Sequence, residues 1–302
     1  MIIEIGPATR RNQMAILRII GVMAILVPTL LCGCTAGASE GGQAPSATSA
    51  SPFTDIKARG SINVGVVPDM PGWSLLDQSR ATWGGFDIAL VEWISNRLDL
   101  KPNYIPITVG QREMMLGGAG TSPRVDLVVA AYSITDARRQ NVAFAGPYIR
   151  TRQGVMIRKG DKISSLDDLK DKDVCTVRGS TSAKQLKEYG IPYSEEEGFG
   201  VCISRLLQGQ AVDAVSTDQL ILAGFAREHA DDLYVVPDLT FGSLEFYGIG
   251  IPRGDIESCR TLTKELSAFM TSGDWAEAFN QRFPGLKFDN YRPDPYNLDS
   301  CV

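Results

Sequence analysis

The sequence is poor in the residues on which catalysis and metal binding usually depend. It contains one histidine, His229, and its six cysteines include no Cys-x-x-Cys pair. A zinc site needs several such ligands at close spacing, and general acid–base chemistry most often uses histidine. We therefore expect no metal, no cofactor and no enzymatic activity.

Two further shortages exclude other classes of protein. The formal net charge is -5, which does not suit a partner made of nucleic-acid phosphates. The apolar run over residues 19–31 contains Pro28 and is too short to span a bilayer. We therefore expect neither nucleic-acid binding nor a transmembrane helix from this run.

Residues 1–33 have the pattern of a lipoprotein signal peptide. Three arginines precede the apolar run, and Leu31-Cys32-Gly33-Cys34 follows it. A leucine three positions ahead of a cysteine, with a small residue directly before that cysteine, resembles a bacterial lipobox. Cleavage before Cys34 would leave Cys34 to carry the lipid, whereas Cys32 fits less well. The alternative is a plain secretory signal with an incidental cysteine.

Residues 34–52 are predicted to be a disordered tether. Apart from the first cysteine they are rich in Gly, Ser, Ala, Thr and Pro and carry one charge. Such a segment has too little apolar surface to order itself. We therefore expect a lipid on Cys34 to hold a folded body, starting near Phe53, at the extracytoplasmic face of the cell membrane.

Four cysteines remain in the predicted body: Cys175, Cys202, Cys259 and Cys301. An even number of cysteines in an exported chain indicates disulfides, and three pairings are possible. We favour Cys175–Cys202, within one region, and Cys259–Cys301, which would hold the C-terminus against a helix. Zinc binding is the alternative.

Past residue 53, strand patterns alternate with helix patterns, which predicts an α/β fold. The alternation restarts near residue 151, so residues 151–242 are expected to form one lobe. The flanking residues, 53–150 plus 243–302, then form the other. The chain would cross between the lobes twice, near 149–152 and 242–246, as in a hinged, two-lobed receptor.

Polar residues follow three of the predicted strands. The groups are Ser133, Thr135 and Arg138, then Gly179 to Ser182, then Thr217 and Asp218. Ligands of open α/β sheets bind outside the carboxyl ends of strands. Hydroxyls, free amides and a guanidinium suit a carboxylate, whereas Asp218 suits an ammonium. If the lobes face each other, the three groups describe a pocket for an α-amino acid, although each alone is ordinary.

Several motifs resemble the polar amino-acid substrate-binding proteins of ABC importers, the family 3 solute-binding proteins. They include Gly85-Phe86-Asp87, Ile134-Thr135-Asp136-Ala137-Arg138 and the Val142-to-Tyr148 run VAFAGPY. The lipobox, tether and paired cysteines look most like the actinobacterial glutamate/glutamine-binding lipoproteins. The resemblance covers roughly residues 55–285. It implies a two-lobed periplasmic-binding-protein-like fold of type II with two hinge crossings, in a monomer that delivers an amino acid to an ABC permease.

The resemblance also implies roles for residues around the first cluster. Arg138 resembles the arginine that binds the ligand's α-carboxylate, and Arg139 is the alternative in the neighbouring register. Ser133 resembles a hydroxyl-and-amide contact, and Ala131 resembles the backbone contact before it.

Further roles fall on the other motifs. Thr181, with Ser182 beside it, resembles the carboxylate donor of the second lobe, and Asp218 resembles the ammonium acceptor. Arg112 resembles the arginine that acidic-amino-acid binders place on the side-chain carboxylate. Glutamate or aspartate is therefore the expected ligand, with glutamine or asparagine as the alternative. Met70 or Trp73 would cover the ligand's methylenes.

Two other functions fit the same fold. A sensor that reports an amino acid to a membrane partner would use identical binding chemistry. Some exported relatives of this fold are dehydratases, which need a general acid or base in the pocket. His229 is a poor candidate for that role, because it lies late in a predicted helix.

Overall fold

The computed structural model describes residues 53–209, 211–299 and 301. The predicted signal peptide (1–33), the predicted tether (34–52) and the predicted lipidation site, Cys34, lie outside the described residues. Within those ranges no helix combines the length and the apolar character that crossing a bilayer requires.

Helices and strands alternate along the described chain. The α-helices are α1 (Phe53–Arg59), α2 (Phe86–Arg97), α3 (Arg112–Met115), α4 (Asp136–Arg139), α5 (Thr181–Glu188), α6 (Phe199–Leu207), α7 (Gln219–Glu228), α8 (Ile256–Thr271) and α9 (Asp274–Arg282). The strands are β1 (Ser61–Val66), β2 (Asp69–Met70), β3 (Ser74–Asp77), β4 (Thr82–Gly84), β5 (Lys101–Pro106), β6 (Leu127–Val128), β7 (Val142–Arg158), β8 (Val174–Val177), β9 (Tyr193–Glu196), β10 (Ala214–Asp218), β11 (Leu233–Val235) and β12 (Phe241–Pro252). Short 3₁₀ turns cover Val109–Gln111, Gly118–Gly120, Asp167–Leu169 and Phe288–Asn290.

Two long strands connect the halves of one mixed sheet. The strand order is β5-β1-β6-β12-β7-β10-β8-β9, with β11 paired to β7. Strands β7 and β12 run antiparallel to each other through the middle, and parallel strands lie on either side. We call the β5-β1-β6 side the first lobe and the β10-β8-β9 side the second lobe. The predicted α/β class and the two crossings are confirmed, while the lobe limits 53–150 plus 243–302 and 151–242 stay a prediction.

Strand β7 is longer than the sequence pattern suggested. The Gly146-Pro147 pair predicts the end of one segment, with a new strand from residue 154, yet β7 continues through both residues. The pairing with β12 shifts register between Tyr247 and Ile249, opposite this point. Proline is tolerated in a strand at such an irregularity, because no ladder hydrogen bond is then lost.

A small sheet of β2, β3 and β4 precedes α2. It is attached to the first lobe by the amides of Phe86 and Asp87, which donate to the carbonyls of Gly72 and Trp73 at 2.8 and 3.0 Å. Gly85 permits this approach: a Cβ there would lie 1.9 Å from the carbonyl oxygen of Trp73. The loop over 68–73 is therefore held rigidly beside α2.

Aromatic side chains fill the core beneath this sheet. Phe86 packs edge-on against Trp73 and Trp275, with ring centroids 5.9 and 5.5 Å apart. Trp275 stacks on Phe279, and its indole donates to the carbonyl of Tyr148 at 2.8 Å. Large buried rings contribute much of a core's apolar area. This cluster fixes α2 and α9 against the crossing strand β7.

Both favoured disulfides are present. Cys175–Cys202 joins β8 to α6 in the second lobe, and Cys259–Cys301 joins α8 to the C-terminal segment. The predicted pairing is confirmed. Because the first bond closes a loop of 27 residues, it restricts the unfolded chain substantially.

The double substitution Cys175→Ala/Cys202→Ala should lower the free energy of unfolding by about 2–4 kcal/mol, since it removes this restriction. Urea unfolding followed by circular dichroism measures the change. Alanine avoids burying a free thiol or a hydroxyl. Cys259→Ala/Cys301→Ala is the comparison variant, and an unfolding midpoint equal to wild type for Cys175→Ala/Cys202→Ala would contradict the prediction.

Candidate ligand-binding site

A cleft lies between the two lobes, at the ends of strands β6, β8 and β10. Its lining consists of Met70, Val109, Arg112, Ala130, Ala131, Ser133, Ser180, Thr181, Ser182, Phe199, Thr217, Asp218 and Ile221. Most of the residues singled out in the sequence are therefore brought together here. Parallel strands whose carboxyl ends face a common crevice explain why.

Two arginines lie against one aromatic ring beside the cleft. The guanidinium carbons of Arg112 and Arg138 are 4.5 and 4.8 Å from the centre of the Tyr132 ring. Both arginines are buried, at 4% and 7% exposure. The π face of a tyrosine attracts a cation, so Tyr132 holds two like charges close together. Tyr132 was not predicted as a site residue, because no motif along the chain distinguishes it from a core aromatic.

Both guanidiniums donate hydrogen bonds to backbone carbonyls, which carry no net charge. Arg112 Nε donates to the carbonyl of Val109 at 2.8 Å, and its Nη1 donates to that of Ala130 at 3.2 Å. Arg138 Nη1 donates to the carbonyl of Ser133 at 2.7 Å.

The two Nη2 groups converge across the cleft on one carbonyl oxygen, that of Gly179, at 3.3 Å from Arg112 and 3.0 Å from Arg138. Gly179 has φ +76°, and a Cβ on it would lie 2.7 Å from Gly110 Cα of the first lobe. A side chain there would prevent this approach of the lobes.

Positive charge at this place is poorly compensated. Among the described residues, the carboxylate nearest Arg138 is Glu113, 3.9 Å away, and none lies within ion-pair distance of Arg112. Burial and the neighbouring charge of Arg138 lower the pKa of Arg112 to about 9, so Arg112 stays protonated at neutral pH. The arrangement favours an anion.

Asp87 fixes the backbone of the first lobe where it borders the cleft, at Ala131. Its Oδ2 accepts from the amide of Ala131 and its Oδ1 from the hydroxyl of Tyr148, both at 2.8 Å. Ala131 has φ +43°, an unusual conformation for a residue with a side chain. The apolar run over 126–131 predicts a strand, but β6 ends at Val128, because the chain then turns and presents the carbonyls of Ala130 and Ala131 to Arg112.

Hydroxyl groups face each other between the lobes. Ser133 Oγ lies 3.4 Å from Oγ1 of Thr181, and Thr181 is the first residue of α5. Ser180 caps this helix by accepting from the amide of Ala183 at 3.2 Å. Ser182 also borders the cleft, but its hydroxyl donates to Thr217 at 3.3 Å. The positive end of α5 therefore adds to the attraction for an anion.

Asp218 supplies the opposite charge. It ends β10, is buried, and accepts from the hydroxyl of Tyr247 through Oδ2. Its Oδ1 has no hydrogen-bond partner among the residues described. Burial, reinforced by the negative charge of Glu245, raises the pKa of Asp218 to about 7, although Tyr247 and Arg138 oppose the shift. A cation bonded to Oδ1 would favour the ionised form.

The apolar side of the cleft comes from Met70, Phe199 and Ile221. Of the two predicted alternatives, Met70 borders the cleft. The indole of Trp73 instead donates to the carbonyl of Leu220 at 3.1 Å and packs in the core. Phe199 and Ile221 were missed because each looks like an ordinary core residue of its helix.

The neighbouring arginines in α4 have different surroundings. Arg138 is not among the residues that line the cleft, but it lies beside them and its Nη2 donates to the carbonyl of Gly179 in the second lobe, whereas Arg139 pairs with Asp299 near the C-terminus. Asp87 was missed as a site residue, although a carboxylate in the first turn of a buried helix is a signal that it has a buried partner.

The stability of the protein should depend on the ionisation of Asp87. Burial raises its pKa from the ordinary 3.8 to about 6. The protonated form contributes stability to the fold that is fully present below about pH 4 and is lost as the pH rises through 6. Asp87→Asn cannot ionise and can still pair with Ala131 and Tyr148. Its free energy of unfolding relative to wild type should rise by about 2–3 kcal/mol from pH 4 to pH 8.

Urea unfolding at four pH values tests this. Asp168→Asn is the control, because hydrogen bonds from Ser164 and Ser165 lower the pKa of Asp168 and give its profile the opposite sign. Parallel stability profiles for Asp87→Asn and wild type would refute the assignment.

Comparisons with known proteins show the family and the fold of this chain. The model of the bacterial extracellular solute-binding proteins, family 3, matches residues 62–285. The glutamate-binding protein GluB of Corynebacterium glutamicum is 32% identical over 263 residues, which cover 83% of this chain and 86% of that protein. The glutamine-binding protein of Geobacillus stearothermophilus is 32% identical over 256 residues, or 81% of this chain and 95% of that protein.

A solved structure shows the same fold. The cysteine-binding protein from Campylobacter jejuni superimposes with a TM-score of 0.73 at 23% identity, over 80% of this chain and 98% of that one. The predicted two-lobed, type II binding-protein fold is confirmed. With the family match over most of the described residues, the comparisons show that this chain belongs to family 3 of the bacterial extracellular solute-binding proteins.

Proposed function

We propose that this protein captures an acidic amino acid, glutamate or aspartate, outside the cell and delivers it to an ABC permease. The observation that carries the proposal is the charge pattern of the cleft. Two buried guanidiniums lie on one side. On the other side lies the buried carboxylate of Asp218, whose Oδ1 has no hydrogen-bond partner among the described residues. An α-amino acid with a second carboxylate carries two negative groups and one positive group, which match the two guanidiniums and the carboxylate.

Each group of the ligand then has a counterpart. The α-carboxylate goes to Arg138, Ser133 and the start of α5 at Thr181, where donors from both lobes meet. The ammonium goes to Oδ1 of Asp218. Charge-assisted hydrogen bonds of this kind are stronger than neutral ones, and their directions fix the orientation of the ligand.

The side chain of the ligand lies towards Arg112. This residue borders the cleft, is anchored through Nε, and has no counter-charge within ion-pair distance among the described residues. A second carboxylate there would compensate a buried cation, whereas the amide of glutamine would leave that charge uncompensated. Met70 and Phe199 would cover the methylene groups.

Relatives support an amino-acid ligand in this class. One relative reported above is named a glutamate-binding protein and another a glutamine-binding protein. The preference for an acidic ligand over glutamine rests on Arg112. A lipid on Cys34 would keep the protein at the membrane next to its permease.

Isothermal titration of the purified protein with glutamate, aspartate, glutamine, asparagine and arginine tests the ligand class. We expect glutamate or aspartate to bind at least tenfold more tightly than its amide, because a buried charge pair replaces a charge–dipole contact. Binding of arginine alone would contradict the acidic specificity, and absence of binding for all five would contradict the amino-acid ligand.

Substitution of the two arginines separates their roles. Arg138→Gln should weaken all bound amino acids by about 2–5 kcal/mol, since an α-carboxylate loses its charged partner. Arg112→Gln should weaken glutamate in the same range but change glutamine binding little. Calorimetry gives both values, and thermal unfolding of each variant checks that the site remains folded. Equal losses for glutamate and glutamine in Arg112→Gln would exclude the side-chain role.

A further inference from the structure

Helix α6 begins without a capping side chain of its own. Its N-cap residue is Gly198, which has extended backbone angles, φ -141° and ψ 155°, and makes no side-chain cap. Helices usually begin with Ser, Thr, Asp or Asn, whose oxygen accepts from the amide of the second or third helical residue. Gly198 leaves those amides of α6 to another acceptor.

Asp69 of β2 provides that acceptor from the other side of the cleft. Its Oδ2 accepts from the amide of Gly200, the second residue of α6, at 3.1 Å. A Cβ on Gly198 would lie 2.6 Å from the same Oδ2. The carboxylate of Asp69 therefore occupies the place of the missing cap side chain, at the end of the helix dipole that favours negative charge.

The two partners belong to different lobes. Asp69 is the first residue of β2, which follows β1 along the chain, and its small sheet is attached to α2 through Gly72 and Trp73. Helix α6 is tied to β8 by the disulfide at Cys202. The cap can therefore form when the lobes are together and must break when they separate.

The cap also stands next to the cleft without bordering it. Met70, the residue after Asp69, and Phe199, the residue after Gly198, both line the cleft, whereas neither Asp69 nor Gly198 does. A contact in this place can hold the walls of the cleft together and leave the chemistry of ligand recognition unchanged.

We propose that Asp69 is a closure residue, whose carboxylate completes the N-terminus of α6 only in the closed form and so strengthens ligand binding from outside the cleft. The proposal rests on the proposed function, because it assumes that ligand is held by closure of the lobes. Closure and ligand binding are then linked through the shared closed form.

Three variants test this. Asp69→Ala removes the cap. Asp77→Ala is the control: it removes a carboxylate of the same small sheet, and among the described residues that carboxylate bonds within its own turn, to Ser79 and Arg80. Asp69→Ala/Gly198→Asp supplies a cap from within the second lobe, which restores the helix end but not the link between the lobes. Gly198 accepts a side chain here because its φ is negative and Asp69 no longer fills the space.

Titration with the amino acid that binds wild type most tightly gives the first readout. Asp69→Ala should weaken binding about five- to tenfold, as expected for the loss of one cap, and stopped-flow should show faster release. The double variant should recover thermal stability but not affinity. Recovery of affinity together with stability, or an equal affinity for Asp69→Ala and Asp77→Ala, would overturn the proposal.

Hydrogen exchange without ligand gives a readout that does not depend on the ligand class. Residues 220–224 of α7 lie against the 68–73 segment: the Trp73 indole donates to the carbonyl of Leu220, and a Cβ on Gly224 would lie 1.9 Å from the carbonyl oxygen of Pro71. Their amides should exchange faster in Asp69→Ala and in the double variant than in Asp77→Ala. Equal exchange in all variants would overturn the closure role. If wild type bound no amino acid, the proposed function alone would be overturned.

Discussion

The site depends on two like charges that the fold holds side by side in its interior. Arg112 and Arg138 lie against the ring of Tyr132 and bond to backbone carbonyls. Carbonyl oxygens satisfy hydrogen bonds but bring no negative charge, and burial makes an uncompensated cation costly. The structure around them must therefore be rigid, which the aromatic core and the Asp87–Tyr148 bond provide. An anion that enters relieves this cost.

The same pair of charges links recognition to the arrangement of the lobes. Both arginines belong to the first lobe, while Gly179, whose carbonyl they share, belongs to the second. Asp218 lies at the end of β10 in the second lobe and bonds to Tyr247 of the crossing strand β12. A ligand that needs both charges is therefore contacted from two lobes at once. Under the proposed function, binding and closure would be one equilibrium for this reason.

Much of this could be predicted from residue patterns along the chain. The apolar patterns predict a strand over 174–177 and helices over 219–229, 255–271 and 274–282. Strand β8 and helices α7, α8 and α9 lie within one residue of these bounds, because their apolar periods are regular. The strand-end groups containing Ser133, Thr181 and Asp218 do meet at one cleft. Strand β7 was underestimated at Gly146-Pro147, since its pairing with β12 outweighs the local turn signal.

The sequence by itself determined the α/β class, the two crossings and the charged residues of the site, because these follow from local periodicity, composition and motif. It favoured one disulfide pairing of the three that four cysteines allow, and the structure has that pairing. Only the tertiary structure decided which of two adjacent arginines bonds to the second lobe, and that Met70 rather than Trp73 borders the cleft. It alone revealed Tyr132 beneath both cations and Asp69 at the start of α6. These features depend on contacts between residues far apart in the chain, and no local pattern encodes such contacts.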